Sequence, residues 1–254
     1  MGTAAPQPSG SGEARHASDS LIFVSWPPSS TIRSLFLDGP VGRLEALLNQ
    51  GTGDATHAAL VCHPHPQYGG TLHNKVVFHT MKALNSFGFP VLRFNFRGTG
   101  LSEGQHDDGN GEVNDVRFAL DWLSREFGRP LIFAGFSFGA AVGLRAACPD
   151  ARVKAVIGIG IPVVPADERS YDFDFLRGCE KPKLFVSGTR DQFGPKVKLR
   201  EVVGSLPEPK RLTLIEDADH FFAGRLRELR EAIESWVREE LMAGRVPAGQ
   251  DRAG

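Results

Sequence analysis

No run of about 20 apolar residues occurs in the sequence, so no part of it reads as a helix that crosses a bilayer. Residues 1–20 lack the apolar stretch of a secretory signal, and Leu21–Trp26 is too short to supply one, so a soluble cytoplasmic protein is expected. Cysteine is scarce. Cys62, Cys148 and Cys179 are odd in number, far apart and without Cys-x-x-Cys spacing, so neither a zinc nor a redox motif is expected and reduced thiols fit best. An excess of one charge is also missing: 29 Lys and Arg stand against 30 Asp and Glu, and a net charge of −1 gives no field to gather a phosphate backbone or anionic lipid. Neither nucleic acid nor a membrane is an expected partner.

What the chain does have is enough apolar material, 41% of 254 residues, for one full-sized core. Residues 1–19, rich in Gly, Pro, Ser and Ala, and 243–254, without hydrophobic periodicity, read as disordered tails around a single domain over 20–242. Two apolar stretches split by Asp38-Gly39-Pro40 predict an antiparallel hairpin over about Thr31–Leu48. Buried-strand runs follow at Ala58–Cys62, Pro90–Phe94, Pro130–Phe136, Ala155–Ile161, Lys183–Ser187 and Arg211–Ile215. Helical spacing lies between and after them, at Asn74–Phe87, Glu112–Phe127, Phe138–Ala147, Pro195–Leu206 and Phe222–Leu241. The alternation predicts an α/β fold: a mostly parallel twisted sheet of about eight strands, with helices on both faces and ligands bound beyond the carboxyl ends of the strands.

Gly135-Phe136-Ser137-Phe138-Gly139 joins a strand to a small-residue helix, the context of a nucleophile elbow. The tight turn there needs glycine, and it lifts a serine hydroxyl clear of the sheet at a helix N-terminus. A bare hydroxyl is a poor nucleophile and needs a base. His220 follows the last strand and precedes the closing helix, and no other histidine lies beyond His106. Asp191, after Leu184-Phe185-Val186-Ser187-Gly188-Thr189-Arg190, is the acid expected to orient that imidazole, with Asp217 and Asp219 as rivals. The competing reading of Ser137 is a helix N-cap.

The segment Cys62-His63-Pro64-His65-Pro66-Gln67-Tyr68-Gly69-Gly70 follows a strand where an oxyanion donor belongs. Pro64 and Pro66 have no N–H, so the Phe138 N–H is expected to be joined by that of His65, with Gln67 and Tyr68 as alternatives. His63, His65, His73 and His79 crowd together in sequence, but no cysteine or carboxylate joins them, so they are read as loop-shaping groups and no metal or cofactor is expected. The glycines of Asn95–Gly104 lack dinucleotide spacing, and Arg97 is read as a tie between loops.

With these residues together, the chain resembles the α/β-hydrolase superfamily over about residues 31–241, and in particular compact bacterial hydrolases similar to dienelactone hydrolase and to serine esterases. The resemblance rests on His63-Pro64-His65-Pro66 with Gly69-Gly70, Asn74-Lys75-Val76-Val77, Phe94-Asn95-Phe96-Arg97-Gly98, the elbow, Asp191 and His220. It implies a serine hydrolase. Dienelactone hydrolases carry cysteine at the elbow where this chain has Ser137, which favours ester chemistry, and the open mouth left by a minimal cap fits short- to medium-chain acyl groups. Only Pro162–Lys181 separates two strands where many lipases insert a helical lid, so a minimal cap or none is expected. Phe136, Phe138, Tyr68, Phe173, Phe175 and Phe193 are candidate walls of an open mouth. The same triad supports amide, thioester or acyl-transfer chemistry. A catalytically silent interaction protein of this fold is the rival of another class, although it would be expected to have lost a triad member. The expected partner is a small ester, and the expected state is monomer or homodimer.

Overall fold

The computed structural model describes residues 1–2, 31–165 and 170–243. The predicted tails lie outside them, apart from residues 1–2 and 243. Eight strands form one sheet: β1 (Ile32–Gly39), β2 (Gly42–Asn49), β3 (Ala58–Cys62), β4 (Val91–Phe94), β5 (Leu131–Phe136), β6 (Val153–Ile159), β7 (Lys183–Gly188) and β8 (Lys210–Ile215). Their spatial order is β1-β2-β4-β3-β5-β6-β7-β8. Pairing is antiparallel for β1 with β2 and β2 with β4, and parallel elsewhere.

Five helices cover the sheet: α1 (Lys75–Asn85), α2 (Asn110–Phe127), α3 (Phe138–Ala147), α4 (Lys196–Gly204) and α5 (Leu226–Glu240). The central strands read as unbroken apolar runs because both of their faces are covered. In β3 all five residues are buried, and successive side chains alternate: Leu60 and Cys62 join the core under α2, α3 and α4, while Ala59 and Val61 join the core under α1 and α5. The chain moves from β3 to β4 on one side and then to β5 on the other. That reversal opens a crevice beyond the carboxyl ends of β3 and β5, the place where such sheets bind ligands.

Several element ends differ from the sequence reading for local reasons. Asn74 is not in α1 but caps it, accepting the Val76 N–H at 2.9 Å. The last helix begins at Leu226 and not Phe222, because Asp219 accepts the Phe221 and Ala223 N–H groups in a turn that holds Phe222 at φ 54°. β6 starts at Val153 and stops at Ile159, where Gly160 turns to φ 52°. Between β6 and β7, the described residues contain one 3₁₀ turn, Asp174–Gly178, and no helical lid.

Candidate active site

The turn from β5 into α3 is tight enough to select its residues. A Cβ on Gly135 would come within 2.5 Å of Gly139 O, and one on Gly139 within 2.3 Å of His63 O, so neither position admits a side chain. Between them Ser137 is held at φ 54°, ψ −118°, a conformation that costs a non-glycine residue on the order of 1–3 kcal/mol. The serine occupies the N-cap position of α3, yet its hydroxyl caps nothing. It lies instead 3.0 Å from His220 Nε2. The N-cap reading of Ser137 is thereby replaced.

His220 is almost fully buried, its ring packed against Phe136, Phe193 and Phe221. Its Nδ1–H donates to Asp191 Oδ2 at 2.9 Å, which leaves Nε2 as the bare nitrogen facing Ser137. The Asp191 carboxylate accepts three further donors: Ser187 Oγ–H at 3.1 Å, Phe193 N–H at 2.9 Å and Gly194 N–H at 3.3 Å. Those bonds hold the carboxylate in one orientation, with Oδ2 aimed at His220. The rival acids serve elsewhere, Asp217 in an exposed ion pair with Arg190 at 2.7 Å and Asp219 in the turn before α5. Ser187 was not singled out in the sequence, since only the fold shows that the end of β7 faces Asp191.

The Phe138 N–H is the first of α3 and has no partner within the helix. Of the three loop alternatives, the Tyr68 N–H donates to His65 O at 3.1 Å and is used up. His65 lines the same cleft as Ser137 and Phe138, and its ring packs against Phe138. The rest of that cleft is Pro162, Val164, Tyr171 and Phe193, enclosing about 40 Å³. Of the expected aromatic walls, Phe138 and Phe193 are in place. Phe136 lies beneath His220, Phe173 is core, Phe175 lines a different cavity, and Tyr68 is solvent-exposed beside His65. Tyr171, Val164 and Pro162, from the short β6–β7 connection, take their places.

The profile of the alpha/beta hydrolase domain matches residues 60–242, more than half of the chain. An uncharacterized protein of Rickettsia prowazekii is 34% identical over 210 residues, covering 80% of this chain and 87% of that one. This chain belongs to the alpha/beta hydrolase domain family. An alpha-beta serine hydrolase homologue from Coxiella burnetii superposes on this hydrolase with TM-score 0.71 at 34% identity, over 80% of this chain and 96% of that one. A serine hydrolase without a lid from Xanthomonas campestris does so with TM-score 0.73 at 33% identity, over 87% and 99%.

In this hydrolase the crowded histidines are dispersed by the fold. His73 is exposed before α1, His79 is half-buried within it, and His65 lines the cleft. His63 is fully buried: its Nδ1–H donates to Pro64 O at 2.6 Å and its Nε2 accepts the Phe96 N–H at 3.0 Å, bolting the loop after β3 to the loop after β4. Burial lowers its pKa from 6.5 to about 4. As pH falls below about 6.5 the unfolded chain takes up this proton and the folded protein does not, so stability is complete above that value and is lost toward pH 4. The loss from this one group is about 3 kcal/mol. Urea midpoints measured across that window should fall more steeply in the wild type than in His63→Gln, and parallel curves would contradict this role.

Arg97 ties the loop after β4 to helix α2, and not loop to loop as the sequence suggested. Its guanidinium forms a forked pair with Asp115 of α2, Nη2–Oδ1 at 2.7 Å and Nε–Oδ2 at 3.0 Å, and its N–H reaches the same carboxylate at 3.1 Å. Asp115 is fully buried. Arg97→Ala should destabilise the fold by about 3–5 kcal/mol, because it strands a buried carboxylate. Urea unfolding checks this, and the double variant Arg97→Met/Asp115→Leu should recover most of the loss.

Proposed function

We propose that this hydrolase is a serine carboxylesterase working through an acyl-enzyme. Ser137 attacks the ester carbonyl while His220 Nε2 takes its proton. Asp191 fixes the imidazole tautomer and stabilises the imidazolium that forms. The N–H groups of Phe138 and His65 receive the developing oxyanion, and His220 returns the proton to the leaving alcohol before water repeats the sequence on the acyl-enzyme. The observation that carries the reading is the continuous relay from Ser137 Oγ to His220 at 3.0 Å and on to Asp191 at 2.9 Å.

The cleft of about 40 Å³ favours the short end of the acyl range. In a p-nitrophenyl ester series, kcat/KM should fall by about tenfold or more from acetate to octanoate. A burst of nitrophenolate stoichiometric with enzyme should precede the steady state. A rate that rises with chain length would reject the short-acyl assignment. Turnover of a thioester or anilide faster than the matched ester would move the natural bond to that class.

A further inference from the structure

The cleft around Ser137 holds only about 40 Å³, and a cavity of about 350 Å³ adjoins it across a single side chain. Among the described residues Tyr171 alone lines both spaces. On the cleft side its ring meets Phe138 edge to face, centroids 6.3 Å apart, next to the N–H assigned above to the oxyanion. The rest of the partition is backbone. Val163 lines the larger cavity and Val164 the cleft, and both of their N–H groups donate to Phe193 O, at 2.9 and 3.3 Å, which fixes that strip in place. Tyr171 is the part of the partition that one side chain makes.

The chemistry of the larger cavity selects what it could hold. Phe173 and Leu206 are buried in its wall, with Val163 and Val202 half-buried beside them. The charges at its rim are spent on other groups of the protein. Asp174 pairs with Arg177 at 3.2 Å, Glu201 pairs with Lys198 at 2.6 Å, and Asp172 accepts the Asp174 N–H at 2.7 Å. That leaves a space of ligand size with apolar inner walls and paired charges at its mouth, which fits an uncharged aliphatic chain better than an ion.

We propose, resting on the esterase reading above, that Tyr171 determines the acyl-chain specificity of this hydrolase: its ring closes the acyl cleft against a second cavity built to take an aliphatic chain. With the ring in place a short acyl group fills the cleft, and a longer one must turn out into water. With the ring removed the chain runs on past Phe138 onto Val163, Phe173, Val202 and Leu206. Each methylene buried there should then strengthen binding by about fourfold.

The test compares the whole wild-type chain with Tyr171→Ala, Tyr171→Leu and Tyr171→Phe by the ratio of kcat/KM for p-nitrophenyl octanoate to that for the acetate. Tyr171→Ala should raise this ratio by about tenfold or more, Tyr171→Leu by less, and Tyr171→Phe, which keeps the ring, by under about twofold. Ser205 is exposed where α4 ends and lines the larger cavity, so adding Ser205→Trp to Tyr171→Ala should fill that space and cancel the gain. A short and a long alkyl fluorophosphonate read the same preference from labelling rates at Ser137, whatever bond is the natural one. A ratio unmoved in both Tyr171→Ala and Tyr171→Leu, or a gain that survives Ser205→Trp, would overturn the wall while the esterase reading stands. If the wild type labels at Ser137 but hydrolyses no ester, the esterase reading falls instead, and the probe ratio upholds or overturns the wall by the same comparison.

Discussion

Ser137→Ala is expected to lower ester turnover by about 10⁴- to 10⁶-fold with little change in stability, because the side chain that does the chemistry does almost nothing for the fold. Ser137 stands where a helix cap would stand but accepts no capping bond, so alanine forfeits no cap energy. Its strained backbone is set by the close contacts at Gly135 and Gly139, and alanine inherits that conformation with the same Cβ. The residual activity is what the oxyanion donors and substrate binding provide without a nucleophile. Initial rates together with a urea midpoint within about 1 kcal/mol of wild type separate this outcome from misfolding. A loss of less than about tenfold would remove Ser137 from the mechanism.

Asp191→Asn should cost about 10⁴-fold in kcat with little change in KM. The amide oxygen is held by the Phe193 and Gly194 N–H groups, which turns the NH₂ toward Ser187 and His220. His220 Nδ1 must then accept, so its proton moves to Nε2, and the imidazole becomes a donor to Ser137 where a base is needed. The overall geometry survives while the tautomer is wrong. Single-turnover measurement of acylation reads this directly. Unimpaired acylation would show that Asp191 only supports its loop, and equivalent damage from Asp219→Asn would return weight to the rival acid.

The fold was legible because its strongest signals are local. Five buried residues in β3, or the six of β5, can only be strands covered on both faces, and their alternation with helices leaves few topologies. The elbow was legible for a related reason: Gly135, Ser137 and Gly139 record close backbone contacts that no other residue pattern satisfies. Contacts without a sequence pattern were not legible. Ser187 touches Asp191, four residues on, only because the turn after β7 folds back on the strand end, and Tyr171 reaches the cleft through an irregular connection without periodicity. Four of the six expected aromatic walls lie elsewhere because a phenylalanine reads the same in sequence whether it faces a cleft or the core, as Phe136 and Phe173 show.

The central claim is that His220 and Asp191 make Ser137 a nucleophile. Labelling the purified protein with a fluorophosphonate and mapping the adduct by mass spectrometry tests it most directly. The account predicts one adduct per chain, on Ser137, absent from Ser137→Ala and formed at least about 100-fold more slowly in His220→Ala. Failure of the folded wild-type protein to react, or an adduct on another residue that persists in Ser137→Ala, would contradict it.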